Sequence, residues 1–400
     1  MRILYYDWDE FNGEDCRDAM TRLGHYVDVM KANMVNGKTA PGLKTALRER
    51  LSRAEDGIRF YDAVFSFDYF PEISEACHEL NFPYISWVFD CPHYPLYSNT
   101  IFNDCNQINV FDRKLCQELT GKGARNIIHT PLAINRERLA DMGLAWTDNG
   151  QDHNYIHEVA FLGNLYDNEF NFYDQANIPG DLKSYLEDVI FAQQSIFGED
   201  ILTDKRVISE DIMEELKEYI EFEDTGLYDL DYDRVILDII RKKITVSERR
   251  RILEELGKRF DTVVYTTSDA EPIPGVPNMG VADYMNSMPY IFHNTKVNIN
   301  ITMRCIHSGV SLRVMDVLAA GGFLVTTSTA EIEEYFTDGV DLAIAHTPEE
   351  MLEKTAYYLE HDSERRKIAL NGQKKVFENF AYTKLLPGIL KISDQSVAKV

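Results

Sequence analysis

Hydrophobic and polar positions alternate in a regular way along most of this 400-residue chain. Short apolar, β-branched or aromatic runs are separated by stretches in which apolar residues recur at helical spacing. In the N-terminal part, strand-like runs cover residues 3–6, 26–30, 63–67, 84–89, 108–111 and 126–129, with helical stretches such as 15–23 and 113–119 between them. This alternation predicts an α/β fold, a parallel sheet covered by helices on both faces.

A polar segment at residues 146–154 interrupts the pattern and has the composition of a linker. Beyond it, a second alternating series has strand-like runs at 159–163, 262–266, 297–301, 323–326 and 342–345, and closing helices at 348–360 and 363–380. Residues 165–260 are mostly helical and acidic, including 211–223 and 230–243, and indicate an insertion after the second domain's first strand. The predicted organisation is a domain over 1–150, a domain over 151–380 and a tail over 381–400 that crosses back to the first domain.

Composition and charge exclude several classes of function. The chain has 41 basic and 66 acidic residues, a net charge of −25, which repels nucleic-acid backbones and anionic lipid but leaves room for one small basic pocket. No apolar run approaches the ~18–20 residues that span a bilayer, so we expect no integral membrane segment. The first residues lack the basic, apolar and small-residue segments that follow one another in a signal peptide. The six cysteines are scattered without a C-x-x-C pair, so we expect buried thiols and a cytoplasmic location.

The most informative motif is a predicted strand, loop and helix. The strand is VNINITMR at residues 297–304, the loop is CIHSGV at 305–310, and the helix is SLRVMDVLAA at 311–320, which stops at a Gly-Gly pair. Backbone N–H groups just before a helix, together with its positive end, form an anion site. The candidate groups are those of Ser308, Gly309 and Val310.

Charged side chains surround this expected anion site. Arg304 precedes the loop and Arg313 lies in the first turn of the helix, so both are expected to reach the same anion. Asp316 lies three residues after Arg313 on the same helical face, where its carboxylate suits ribose hydroxyls. The residues alone leave a plainer interpretation open, in which Ser308 only caps the helix and Arg313 and Asp316 form a surface ion pair.

Residues 309–325, GVSLRVMDVLAAGGFLV, resemble the donor-site helix of group 1-like glycosyltransferases of the GT-B fold. Roughly the first 380 residues resemble the spore-maturation-protein-type subgroup, through YISWVFDCPH at 84–93, VFDRK at 110–114, VAFLGN at 159–164 and EIEEYFTDGVD at 331–341. The resemblance implies two doubly wound Rossmann-like domains facing a cleft, with the helical insertion in the second. The wider family has two glutamates separated by seven residues; here Asp316 replaces the second, which binds the donor ribose, and Ser308 stands in place of the first.

Further candidate residues follow other predicted strands. By this resemblance, Gly163 and Asn164 approach the donor phosphates and sugar, although Gly163 is equally an ordinary strand-ending glycine. Tyr284 lies where the family packs the donor base, and the sequence does not distinguish this role from a place in the core. Asp90 and His93 follow an apolar strand, and either suits a base that takes the acceptor proton, although Asp90 also suits a turn.

Asp7, Trp8 and Phe11 follow the first strand and are the candidate acceptor contacts. No required metal is predicted, because the acidic run at residues 229–233 lacks the glycine and the glutamate of a calcium loop. The candidate catalytic residues are therefore Asp90, His93 and Arg313, with no cofactor beyond the nucleotide-sugar substrate.

The predicted function is transfer of a sugar from a nucleotide-diphosphate sugar, with UDP as the favoured nucleotide, to a hydroxyl on a protein or glycan. A surface protein such as flagellin or a spore-coat component is a candidate acceptor. Two alternatives stay open: a sugar-nucleotide epimerase on the same architecture, and a non-catalytic sugar-nucleotide or envelope-binding protein, which the replacement at Ser308 favours. The sequence leaves the sugar, the acceptor and the stereochemistry undetermined.

Overall fold

The computed structural model of the chain describes residues 1–32, 34–35, 38–39, 42–145, 154–167, 171–220, 231–267 and 271–391. These residues divide into two compact units, the first comprising Met1–Arg138 and the segment from Glu378 onward, and the second beginning at Leu139 and ending at Phe377. The sequence-based boundary lay near residue 150. Most of the expected linker, residues 146–153, and part of the acidic run at 229–233 lie outside the described residues.

The first unit is built on a six-stranded parallel sheet with the order β10-β9-β8-β7-β1-β2. Its strands, with those of two short antiparallel hairpins, are β1 (Arg2–Asp7), β2 (Tyr26–Lys31), β3 (Met34–Val35), β4 (Lys38–Thr39), β5 (Ala54–Glu55), β6 (Ile58–Arg59), β7 (Ala63–Phe67), β8 (Tyr84–Val88), β9 (Asn106–Val110) and β10 (Ile127–His129). Its helices are α1 (Gly13–Arg22), α2 (Leu43–Leu51), α3 (Pro71–Glu79), α4 (Arg113–Gly121) and α5 (Arg136–Asp141), with 3₁₀ turns at Tyr94–Tyr97 and Asn99–Phe102.

The second unit is built on a five-stranded parallel sheet with the order β12-β11-β13-β14-β15. Its strands are β11 (His157–Leu162), β12 (Thr262–Tyr265), β13 (Thr295–Asn300), β14 (Leu324–Thr327) and β15 (Ala343–Ala345). Its helices are α6 (Phe172–Gln175), α7 (Gly180–Gln193), α8 (Glu210–Tyr219), α9 (Tyr232–Gly257), α10 (Met288–His293), α11 (Leu312–Ala319), α12 (Ala330–Tyr335), α13 (Pro348–Glu360) and α14 (Asp362–Asn379), with a 3₁₀ turn at Ile201–Thr203.

Burial explains why the sheet strands were visible in the sequence. Strands β7 and β8 are buried at every position, because helices cover both faces of the sheet, and such strands appear as continuous apolar runs. The two hairpins were not predicted, since strands of two residues carry no periodic pattern. The structure thus confirms the α/β class with parallel sheets.

The final helix, α15 (Tyr382–Ile389), belongs to the first unit. Tyr382, Leu386 and Ile389 join the buried core that includes Ile3 of β1 and Trp87 of β8. A backbone bridge between Ile134 and Ala381 leads the chain into this helix. The tail expected over residues 381–400 is therefore described as far as residue 391, and it packs in the first unit.

In each sheet the order of the strands reverses next to the first strand of the unit. In the first sheet β2 lies on one side of β1 and β7 on the other, and in the second sheet β12 and β13 flank β11 in the same way. Ligands of open α/β sheets bind at the carboxyl ends of the strands at such a reversal. The fold therefore directs attention to the segments after β1 and β7, and to those after β11 and β13.

Arg304 holds the helical insertion against the second unit. Its guanidinium group pairs with Glu248 of α9, with Nε at 3.0 and 3.1 Å from the two carboxylate oxygens, and Glu248 is 1% exposed. The same group donates to three backbone carbonyls of the insertion, those of Gln193, Ile196 and Glu199. This corrects the expectation that Arg304 reaches an anion together with Arg313, because its guanidinium is occupied by structural partners.

Replacing Arg304 should therefore destabilise the protein. Arg304→Ala leaves the buried Glu248 carboxylate without its cation, which costs about 3–5 kcal/mol. Arg206→Ala is the matched control, because the Arg206 side chain is 89% exposed and its pair with Asp204 contributes little. Chemical denaturation measures the free energy of unfolding of both variants. The double variant Arg304→Ala with Glu248→Gln should recover part of the stability lost in Arg304→Ala, because it removes the unpaired charge. A loss below about 1 kcal/mol in Arg304→Ala would contradict the structural role.

Candidate functional site

The carboxyl ends of β11 and β13 lie side by side in the second sheet. Gly163 directly follows β11, and its N–H donates to the carbonyl of Tyr265 at 3.0 Å. A Cβ atom at Gly163 would lie 3.3 Å from the Phe161 ring, so a side chain here would crowd that ring. Asn164 comes next, and its side-chain oxygen accepts from the backbone N–H of Tyr166 at 2.7 Å. The sequence thus correctly placed Gly163 and Asn164 at the end of this strand.

Arg249 of α9 ties these two strand ends together. Its Nε and Nη2 atoms lie 3.2 and 2.7 Å from the carbonyl oxygen of Ile301, and Nη1 donates to the carbonyl of Asn164. The guanidinium also lies 5.3 Å from the centres of the Phe161 and Tyr166 rings. Burial lowers the pKa of Arg249. Arg249 was not predicted as a site residue, because it is the first of three consecutive arginines at 249–251 and nothing in the sequence distinguishes it from the other two.

The predicted anion site lies in the loop before helix α11. The helix begins at Leu312 with Ser311 as its N-cap residue. Ser308 and Gly309 are engaged elsewhere, since the carbonyl of Ser308 accepts from the Glu331 N–H at 3.0 Å and that of Gly309 accepts from the Thr329 hydroxyl at 3.2 Å. These contacts use carbonyl oxygens, so the anion site at the N–H groups of Ser308, Gly309 and Val310 stays a prediction. The helix start adds the N–H groups from Leu312 onward, because the first N–H groups of an α-helix have no acceptor within it.

A second feature marks the same helix end. Among the described residues, the Ser311 hydroxyl oxygen is one of the buried side-chain atoms without a hydrogen-bond partner. It belongs to the residue directly before Leu312 and Arg313, whose backbone N–H groups lie at the positive end of the helix dipole. Ser311 was not identified from the sequence, because its position as N-cap depends on where the helix begins.

Arg313, Asp316 and Tyr284 come together on α11 and the segment before α10. Nη1 of Arg313 lies 3.4 Å from Oδ2 of Asp316, and the Tyr284 hydroxyl donates to Oδ1 at 3.1 Å. Arg313 also contacts the sulfur of Met288 and lies 5.2 Å from the centre of the Phe292 ring. The Arg313 and Asp316 side chains keep 24% and 11% of their surface exposed. Arg313 and Asp316 thus lie together, as their positions on one helical face predicted, and the ion pair that the plainer interpretation expected is present. Tyr284, which the sequence analysis considered separately, joins them.

Ser308 contacts a glutamate that comes from a different element. Its hydroxyl donates to Oε1 of Glu331 at 2.8 Å, and the Tyr335 hydroxyl lies 3.5 Å from Oε2. Glu331 lies in the first turn of α12 and is 1% exposed. A buried carboxylate is therefore present beside Ser308. The run EIEEYFTDGVD at 331–341 was part of the resemblance, but the sequence did not indicate its contact with Ser308, because 22 residues separate the two positions.

In the first unit, Asp90 and His93 meet a third residue, Asp68. A carboxylate oxygen of Asp68, a carboxylate oxygen of Asp90 and a ring nitrogen of His93 all lie within 4.8 Å of one another, after the ends of β7 and β8. Burial raises the pKa of Asp68 to about 7. Desolvation by surrounding atoms, followed by the charge of Asp68, raises the pKa of Asp90 to about 7. Burial lowers the pKa of His93, whose Nε2 lies 3.2 Å from the backbone nitrogen and 3.0 Å from the carbonyl oxygen of Tyr69.

The predicted acceptor residues lie after β1 in the first unit. Trp8 stacks on Phe89 with ring centres 5.9 Å apart, and its indole N–H donates to the carbonyl of Phe67 at 3.0 Å. Phe11 packs edge-on against Phe89 and is 47% exposed. Asp7 is buried and lies 3.2 Å from Arg17, so its carboxylate already has a cation. Trp8 and Phe11 thus form an accessible aromatic surface, whereas Asp7 is held in an internal ion pair.

Comparisons with known proteins bear on the family and the fold. A family model described as glycosyl transferase-like matches residues 247–390, which include α11 and most of the second sheet. No curated protein matches the chain by sequence. In the part of the chain that the structure describes, none of the helices combines the length and the apolar character needed to cross a membrane.

Two solved structures resemble the whole chain. A glycosyltransferase from Rickettsia africae matches with a TM-score of 0.51 and 10% identity, over 100% of this chain and 99% of that one. A sucrose-phosphate synthase from Thermosynechococcus elongatus matches with a TM-score of 0.50 and 9% identity, over 98% of each chain. Together with the two parallel sheets and the family match over residues 247–390, these likenesses show that the chain has the GT-B fold and carries a glycosyl transferase-like region in its second unit.

Proposed function

We propose that this protein is a glycosyltransferase that moves a sugar from a nucleotide-diphosphate sugar to a hydroxyl group of a protein or glycan. The observation that carries the proposal is the grouping of Arg313, Asp316 and Tyr284 at the start of α11, within the region that matches the glycosyl transferase-like family. We propose a UDP-sugar as the donor. The spore-maturation-protein-type subgroup, and a surface protein such as flagellin or a spore-coat component as acceptor, remain part of this proposal.

The donor half of the reaction is assigned to the second unit. The leaving nucleoside diphosphate gains negative charge on its β-phosphate as the bond to the sugar breaks. Arg313 and the N–H groups at the start of α11 would stabilise that charge, and the Ser311 hydroxyl would supply a further donor. The Asp316 side chain keeps 11% of its surface exposed, and its carboxylate oxygens would accept the ribose hydroxyls.

The acceptor half is assigned to the first unit. Asp90 is exposed, and a carboxyl group with a pKa of about 7 is matched to proton transfer near neutral pH. His93 is held by the backbone of Tyr69 and would orient the loop that carries Asp90. Trp8 and Phe11 would contact the acceptor through their ring faces. Asp7 is left out of this proposal, because Arg17 already occupies its carboxylate.

We further propose that no metal ion or cofactor takes part, since Arg313 and the helix end supply the positive charge that a divalent cation would otherwise provide. The proposed location is the cytoplasm, and the six free thiols support a reducing compartment.

Removing Arg313 should abolish most turnover without unfolding the protein. Arg313→Ala deletes a charge that acts on the leaving phosphate, and the loss of one such donor typically lowers kcat by about 10²–10³-fold. Arg206→Ala, an exposed arginine of the insertion, is the matched control and should keep full activity. The measurement is product formation from a UDP-sugar with a panel of protein and glycan acceptors, alongside circular dichroism. Near wild-type activity in Arg313→Ala would refute the assigned role.

The same assay separates the alternative functions. A glycosyltransferase needs the acceptor for product, whereas an epimerase converts the nucleotide sugar when it is supplied alone. A donor that raises the melting temperature of wild type but not of Arg313→Ala, with no turnover on any acceptor, would instead favour a binding protein.

Chelation should leave the activity largely intact. The proposal assigns charge stabilisation to Arg313 and the start of α11, so EDTA removes nothing that the reaction requires. Initial rates with and without EDTA, followed by addition of Mn²⁺ or Mg²⁺, measure this. Strong inhibition that a divalent cation restores would contradict the metal-free mechanism.

A further inference from the structure

Asp68 is the buried member of the group formed with Asp90 and His93. It follows β7 with a φ of +52° and is 2% exposed. Its Oδ1 atom accepts from the backbone N–H groups of Phe89 and Asp90, at 3.0 and 3.2 Å. Asp68 therefore holds the start of the loop that carries Asp90, and these two bonds favour the ionised form of Asp68 over its protonated form.

The side chain of Asp90 returns to the same carboxyl group. The carboxyl groups of Asp90 and Asp68 have oxygen atoms within 4.8 Å of each other, and burial together with the charge of Asp68 raises the pKa of Asp90. Ionised carboxylates are acceptors only, so a hydrogen bond between two of them requires one proton. Because Asp68 already accepts two N–H bonds, the negative charge belongs on Asp68 and the proton on Asp90.

The surrounding groups favour retention of this proton. His93 faces the pair and is kept neutral, since burial lowers its pKa. Glu10, in the segment after β1, adds a further negative charge near Asp68. The cation next to Glu10 is Arg17, which lies 3.8 Å from Glu10 and 3.2 Å from Asp7 and is therefore directed at those carboxylates.

We propose that Asp68 and Asp90 form one proton-sharing pair, and that this pair, rather than Asp90 alone, is the base for the acceptor hydroxyl. The inference rests on the proposed glycosyl transfer and names a positioning residue for it. When the shared proton has left, Asp90 takes the proton of the hydroxyl as its O–H bond breaks. The acceptor oxygen then forms the bond to the anomeric carbon, and the nucleoside diphosphate leaves with the electron pair of the broken bond.

The pair sets the direction of the pH dependence. Asp90 acts as a base only when it is deprotonated, so kcat/KM should rise with pH through about 7, where the pair loses its shared proton. In Asp68→Asn the negative charge beside Asp90 is lost, the pKa of Asp90 falls, and the rising limb moves to lower pH. A purely structural role for Asp68 would lower stability or raise KM without moving this limb.

The first test does not depend on activity. Titration of ¹³C-labelled aspartate carboxyl groups by NMR should show Asp90 of the wild-type protein changing ionisation near pH 7. In Asp68→Asn the midpoint of Asp90 should fall by about one unit or more, about tenfold in proton affinity. Asp62→Asn is the matched control; Asp62 is exposed and accepts from the Arg2 N–H, and its replacement should leave the Asp90 midpoint unchanged. A wild-type midpoint near 4, or one that Asp68→Asn does not move, would overturn the pair.

The second test uses turnover. Asp90→Asn should lower kcat/KM by about 10²–10⁴-fold, the usual contribution of a general base. In Asp68→Asn, the rising limb of kcat/KM against pH should move by the same number of pH units as the NMR midpoint of Asp90. A limb that stays in place would overturn the catalytic role of the pair. If no acceptor is turned over, the NMR result still decides whether the proton is shared, so failure of the proposed function is distinguishable from failure of the pair.

A cation site is the competing explanation of the cluster. An increase in the melting temperature of the wild-type protein with millimolar Mg²⁺ or Zn²⁺ that is lost in Asp90→Asn would identify such a site and overturn the proposal.

Discussion

Both sheets of this protein are parallel and covered by helices on each face, and this constraint determines where polar chemistry can lie. A strand that is buried on both faces tolerates few ionised side chains along its length, as β7 and β8 illustrate by being buried throughout. Charged and polar groups therefore collect where the strands end. Asp68 and Asp90 follow two neighbouring strands of the first sheet. In the second sheet, Arg249 donates to the backbone carbonyls of Asn164 and Ile301, which follow two neighbouring strands.

The same constraint explains what the sequence alone predicts well. Strands β1 and β8 were located within one residue at each end, because burial leaves a continuous apolar run. The start of α11 was predicted within one residue, but the role of Ser308 was not: the sequence left open that it caps the helix, whereas the N-cap residue is Ser311 and the Ser308 hydroxyl donates to Glu331. Packing between distant segments decides such cases, and packing is not encoded in local periodicity.

Three arginines of the second unit show why site residues are harder to predict than strands. Arg249, Arg304 and Arg313 lie near the same loop in sequence or space, yet they differ in what surrounds their guanidinium groups. Arg304 is neutralised by Glu248, Arg249 is satisfied by carbonyls at two strand ends, and Arg313 keeps 24% of its side chain exposed. Of these three arginines, only Arg313 keeps a side-chain surface that a ligand can contact. This difference depends on the directions of the side chains and on partners that lie more than fifty positions from Arg249 and Arg304 in the sequence.

The contact between Ser308 and Glu331 bears on the non-catalytic alternative. That alternative drew support from the serine at position 308, where the resemblance implies a glutamate. In the structure a buried carboxylate reaches the same place from α12, and it is fixed there both by the Ser308 hydroxyl and by the backbone bond from its own N–H to the Ser308 carbonyl. A serine is small enough to admit this second side chain, whereas a glutamate at 308 would set two buried carboxylates against each other. The structure therefore holds a buried carboxylate next to Ser308, and the serine at position 308 does not by itself favour the non-catalytic alternative.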